Sequence, residues 1–215
     1  MYKYSTLFKS VLAMTALSVT LMSANAFAAP GKPGKPGKPG INPVAPGGNI
    51  VEVAVAANSL LGEFDYLLGA VGCLTDAEGN NPVVNLLTGS DKYTLFAPTD
   101  AAFEALQTAL GIAVPDPSAT CAVDSIFGEG TLFTILAYHV TDGRRFSHSV
   151  FNHKNSKEIE MLAGGSITST PSLSLIDGVP QVVNPVPSLI DINASNGVIH
   201  VIDTVMLPFN PFAGD

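Results

Sequence analysis

The sequence has no tryptophan, two cysteines, four histidines and, beyond residue 40, five cationic side chains against all eighteen acids. From Ile41 onward the formal charge is therefore 5 − 18 = −13. Such a surface repels nucleic acid, and no basic face offsets it. Past the first 28 residues no apolar run is long enough to span a bilayer, so a membrane-spanning role drops out as well. There is no Gly-x-Ser-x-Gly elbow, phosphate loop, dinucleotide fingerprint or repeated-cysteine metal motif. Ser147-His148 is the one close nucleophile–base neighbour, and adjacency in sequence does not aim a hydroxyl at an imidazole. His148 and His153, with Glu158 and Glu160 nearby, are spaced for neither one helical face nor one strand face. Asp76, Glu78, Asn80 and Asn81 lack the order and the distal glutamate of a calcium loop. No catalytic residue, metal ligand or cofactor is expected.

What is present begins with Met1–Ala28: Lys3 and Lys9, the apolar run Val11–Met22, then small residues that invite cleavage after Ala26 or Ala28. This is a secretory signal peptide; as a membrane anchor the run is too short and too rich in Ser and Thr. The mature chain is expected to be secreted, either extracellular or periplasmic and at the cell surface. Residues 29–48 form a Gly/Lys/Pro-rich linker with three Gly-Lys-Pro triplets. Three triplets are too few for a collagen helix and read as a solvated, polyproline-like tether. Its lysines are also placed to touch an acidic polymer or lipid surface. Residues 49–209 suit a single domain, and 210–215 form a short tail. In an exported chain Cys73 and Cys121 read most simply as one disulfide, two free thiols being the alternative.

Within the domain, Ile50–Cys73 keeps a helical rhythm broken around Asn58 and Gly62. Thr75–Asp91 reads as a loop with a helical turn at Val83–Leu87. Tyr93–Ala97 is a β-rich run that Pro98 ends. Thr99 and Asp100 then offer side-chain oxygens to the helix that follows, whose Ala102, Phe103, Leu106 and Leu110 form one apolar stripe. Val114–Gly130 reads as a long loop, and Thr131–Val140 as a helix with Leu132, Ile135, Leu136 and Tyr138 inward. Afterwards the period changes to two. Strands are expected at Ile159–Leu162, Ser166–Thr170, Leu173–Ile176, Gln181–Asn184, Ile190–Asn193 and Val198–Leu207, with tight turns at Asp177-Gly178 and Asn196-Gly197. The class is α+β.

Three ordered blocks, YTLFAPTDAAFEAL at 93–106, ILAYHVTDGRR at 135–145 and NGVIHVIDTVMLP at 196–208, resemble the signature blocks of the fasciclin domain. VEVAVAANSLLGEFDYLLGAV, at 51–71, is similar to that family's first helices. The resemblance implies a fasciclin-type domain with N-terminal helices packed on a twisted mixed β-wedge. It further implies a secreted, non-enzymatic module tied to cell adhesion and to matrix or partner binding. Phe96, Pro98 and Phe103 in the first motif, and Gly197, His200 and Asp203 in the second, map as structural positions. Tyr138 and His139 map onto a pair implicated in recognition, and Thr99, Asp100 and Asn196 complete the candidate binding residues. His139 reads equally as a packed histidine bonded to a carbonyl or carboxylate. The expected partners are surface or matrix proteins or polysaccharide. Carriage of a small apolar ligand, a pigment or lipid, is the alternative, since 47% of the chain is hydrophobic.

Overall fold

Asn49 starts the first helix with a reciprocal cap: its side chain accepts from Glu52 N–H while the Glu52 carboxylate accepts from Asn49 N–H. The computed structural model describes residues 47–112, 115–151 and 154–211. Residues 1–46, on which the expected signal peptide and nearly all of the expected linker fall, lie outside the described residues, as do His153 and the tail residues 212–215.

In chain order the elements are α1 (Ile50–Leu61), α2 (Asp65–Cys73), α3 (Pro82–Thr88), β1 (Tyr93–Pro98), α4 (Asp100–Ala109), a 3₁₀ turn (Pro117–Ala122), α5 (Val123–Phe127) and α6 (Thr131–Ala137). Then follow β2 (Val140–Asp142), α7 (Ser147–Val150), β3 (Lys157–Glu160), β4 (Ser166–Ser169), β5 (Leu175–Ile176), β6 (Val182–Val183), β7 (Ile192–Ala194) and β8 (Gly197–Ile202). The domain is α+β, as the resemblance implied. The break between α1 and α2 is a built corner. Gly62 takes φ +65°, and the Asn58 side chain accepts from Phe64 N–H and donates to Asp65.

Two sheets form, each of four strands. The first has the order β2-β1-β8-β7, with β1 parallel to β8 and both outer pairs antiparallel. The second is an antiparallel meander, β3-β4-β5-β6. Every residue of β1 and β8 is buried, because that sheet is covered on both faces. Leu95, Ala97, Ile199 and Val201 point into the core shared with the helices, while Phe96 and Ile202 point into the core shared with β3–β6. Thr141 Oγ1 donates to Glu160 O and Leu162 N–H to Val140 O, which ties the edge of one sheet to the other.

Three expectations are corrected. Val114–Gly130 is not one loop: Pro117–Ala122 and α5 occupy it, started by the Asp116 carboxylate on Ser118 N–H. The helix expected to Val140 stops at Ala137, because Val140 pairs with Leu95 as the first residue of β2. The last strand ends at Ile202 rather than Leu207. Beyond it the alternation resumes, with Val205 and Leu207 in one core and Met206 in the other, but without a ladder partner.

Candidate functional site

Tyr138 and His139 close α6, and both are 1% exposed. The Tyr138 hydroxyl donates to Ser166 O of β4 at 2.7 Å. His139 Nδ1 lies 2.8 Å from Ile135 O, and Met206 N–H donates to its Nε2 at 2.9 Å. A nitrogen that receives a proton cannot carry one, so the ring is neutral with its hydrogen on Nδ1. The pair expected to meet a partner is thus almost wholly buried and hydrogen-bonded within the domain. The packed reading describes His139, its partner being a carbonyl.

Burial in this apolar setting lowers the His139 pKa from 6.5 to about 4, against the smaller opposing effects of the Ile135 carbonyl and Asp177. Above pH 6.5 the ring is neutral in folded and unfolded chains alike. As the pH falls from there towards 4, the unfolded chain takes up a proton that the folded one refuses, so stability declines by about 3 kcal/mol. Urea unfolding across this range is expected to show about one more proton bound on unfolding at pH 5 in the wild type than in His139→Gln. Equal slopes in the two proteins would contradict the assignment.

His200, wholly buried in β8, holds the opposite tautomer. Nε2 lies 2.7 Å from Arg145 O, and Nδ1 accepts from Asp191 N–H at 3.2 Å. Burial again pushes the imidazole down, against Arg145 O and Asp191. Its ring packs between Phe96 and Phe151, with centroids 5.8 and 5.4 Å away.

Asn196 is buried in the turn between β7 and β8 and joins three segments. It accepts from Ile50 N–H at 2.8 Å and donates to Leu87 O and Gly89 O. Beside it Gly197 cannot be replaced without movement. A Cβ there would stand 2.3 Å from Tyr93 O and 2.4 Å from Ile50 Cδ1.

Thr99 caps α4 as expected, its hydroxyl accepting from Ala102 N–H. Asp100 does not. Its carboxylate accepts from Tyr66 N–H at 3.0 Å, and its own N–H donates to Glu63 O, so it caps the start of α2, whose Phe64 supplies no side-chain cap. Desolvation raises the Asp100 pKa, outweighing the Tyr66 and Asp65 N–H groups. Asp100→Ala is expected to destabilise by about 1–2 kcal/mol and Asp100→Asn by less, because an amide oxygen still accepts from Tyr66. Urea midpoints for the two variants check this; equal losses would show that the bond carries no energy.

The other mapped positions have internal duties too. Phe96 N–H donates to His139 O, Pro98 pairs with Ile202, and Phe103 stacks on Tyr66 at 6.0 Å. Asp203 accepts from Asn184 N–H and Nδ2. Ser147 donates to the Asp191 carboxylate, while the His148 ring lies on Phe146 at 6.3 Å. Cys73 and Cys121 are joined as a disulfide.

Local sequence signals missed Gln107, which is buried on α4. Its amide grips Asp116 in both directions, donating to the carbonyl and accepting from the N–H. A polar residue inside the apolar stripe was the available signal. Among the described residues, no three His, Cys, Asp or Glu side chains are grouped to hold a metal, and no single helix is long and apolar enough to cross a membrane. Two apolar cavities, of about 20 and 40 Å³, lie between the helices; the larger is lined by residues from α1, α2, α3, β1 and α6 together with His139 and Val140.

A family model described as "Fasciclin domain" matches residues 73–208. Protein sll1483 of Synechocystis sp. is 34% identical over 162 residues, covering 74% of this chain and 73% of that protein. Immunogenic protein MPB70 of Mycobacterium bovis is 33% identical over 132 residues, covering 60% of this chain and 57% of that protein. Among solved structures, a FAS1 domain pair from the insect cell adhesion molecule fasciclin I matches with TM-score 0.41 and 19% identity, covering 57% of this chain and 42% of that one.

Proposed function

The chain belongs to the fasciclin domain family, and on that premise we propose that it is an exported, non-enzymatic module that binds a cell-surface or matrix protein or polysaccharide in adhesion. One observation carries the reading. The signature side chains are engaged internally, while Ile126, Phe133 and Phe209 stand 53%, 39% and 37% exposed. Phe209 meets the ring of Phe127, the sequence neighbour of Ile126 on α5, edge to face at 6.4 Å. Contiguous exposed apolar patches, rather than single exposed residues, mark contact surfaces, and the paired rings are the start of one. The charge of −13 beyond residue 40 favours a partner whose contacting face is neutral or cationic. The disulfide suits an oxidising compartment, in keeping with export.

The test is co-sedimentation of the purified mature chain with washed cells of the species that encodes it and with their isolated surface polymer. Binding is expected, and Ile126→Asp with Phe209→Asp should weaken it at least about tenfold, since a charge enters the contact. No sedimentation above an inert protein control counts against the proposal. Carriage of a pigment or lipid is less well supported, because the cavities are far below the roughly 300 Å³ of a ligand pocket. A ligand mass retained in native mass spectrometry would reverse that preference.

A further inference from the structure

After β8 the chain crosses the domain as a strap, Asp203–Leu207, held in an unusual way. Beyond Asp203, the hydrogen bonds described for its backbone run to side chains: Met206 N–H to His139 Nε2, Leu207 N–H to the Asp177 carboxylate, and Val205 O from Gln181 Nε2. Asp177 is fixed in turn by Val179 N–H, Gln181 N–H and Gln181 Nε2. Val205 and Leu207 are buried in the helical core and Met206 in the core between the sheets, so one short segment seals both.

We propose that His139 is an acid-released latch for this strap. Nε2 accepts from Met206 N–H, and a second proton on the ring would set two N–H donors against each other. The strap then loses its central tie, and Val205, Met206 and Leu207 are freed together to expose an apolar surface. Among the described residues the one carboxylate acting on the ring, Asp177, is already occupied by Leu207 N–H and Gln181. α6 presents the Ile135 carbonyl to Nδ1, and the turn after β5 presents Asp177. The facing residues of α1, α2, α3 and β1, such as Ile50, Leu67, Val83 and Leu95, are apolar and do not titrate. Burial, which holds the ring neutral while the strap is closed, ends when the strap lifts, so each step below pH 6.5 favours the lifted state.

Amide hydrogen exchange on the full mature chain, corrected for the intrinsic pH dependence of exchange, tests this. Met206 and Leu207 should exchange by an opening easier than that of the β8 amides. Their protection should fall about 20-fold from pH 7 to pH 5, the ratio set by a ring that titrates near 6.5 when open and near 4 when closed. Two results on the wild type would each overturn the latch. One is strap protection that does not vary with pH. The other is Met206 and Leu207 opening only together with β8, which would show that the strap does not move by itself. His139→Gln, where it folds, should abolish the dependence; an unchanged dependence there would assign it to another group.

Discussion

Replacing both Cys73 and Cys121 by Ala is expected to lower stability by about 4 kcal/mol, from the loop-closure entropy of a 48-residue separation. At roughly 2–4 °C per kcal/mol for a domain of this size, the melting temperature should drop by about 8–16 °C. The effect belongs mainly to the unfolded chain. The segment that Cys121 anchors has other ties in the folded state: the two-way grip of Gln107 on Asp116, and the Asp124 carboxylate on Leu132 N–H and Gly130 N–H at the start of α6. Native near-ultraviolet spectra should therefore stay close to wild type while the melting point falls. Melts of the oxidised protein, the reduced protein and the double variant decide it. A loss under about 1 kcal/mol would mean that the unfolded chain is held together by something else.

Phe103→Ala is expected to cost about 3–5 kcal/mol. The ring is buried on α4, stacks on Tyr66 of α2 and borders a cavity shared with Leu132, Ile135 and Val205. Removing it enlarges a void that already exists, between elements pinned by caps, so the site has little freedom to collapse. The urea midpoint should fall by at least about 1 M with an unchanged slope. A midpoint near wild type would show that the space refills by repacking.

Much of this fold was legible because its signals are local. Gly62 breaks a helical rhythm at the place where a left-handed residue is needed, Thr99 caps the helix next to it, and Asn196-Gly197 turns β7 into β8. The misses involve partners far away in sequence. Asp100 caps a helix 34 residues upstream instead of its own, which no window around it encodes. Val140 looks like the end of a helix until Leu95 lies beside it. Alternation between the two cores resumes at residues 205–207 after the polar pair Asp203-Thr204, since a strap between two cores needs the same period of two as a strand. Tyr138, His139 and Asn196, the motif residues expected to meet a partner, are all hydrogen-bonded to distant segments of the domain, which a motif does not reveal.

The parallel pairing of β1 with β8 also governs when the domain can form. Each register pair, from Tyr93 with Gly197 to Pro98 with Ile202, joins positions 104 residues apart (197 − 93). During synthesis, which proceeds at about 5–20 residues per second, the central strand of the first sheet waits several seconds for its neighbour. Closing so long a segment before any ladder contact rewards it makes this a late and slow step. The first sheet therefore stays two-part, with β1 and β2 lacking their neighbour, until the β8 segment has been made.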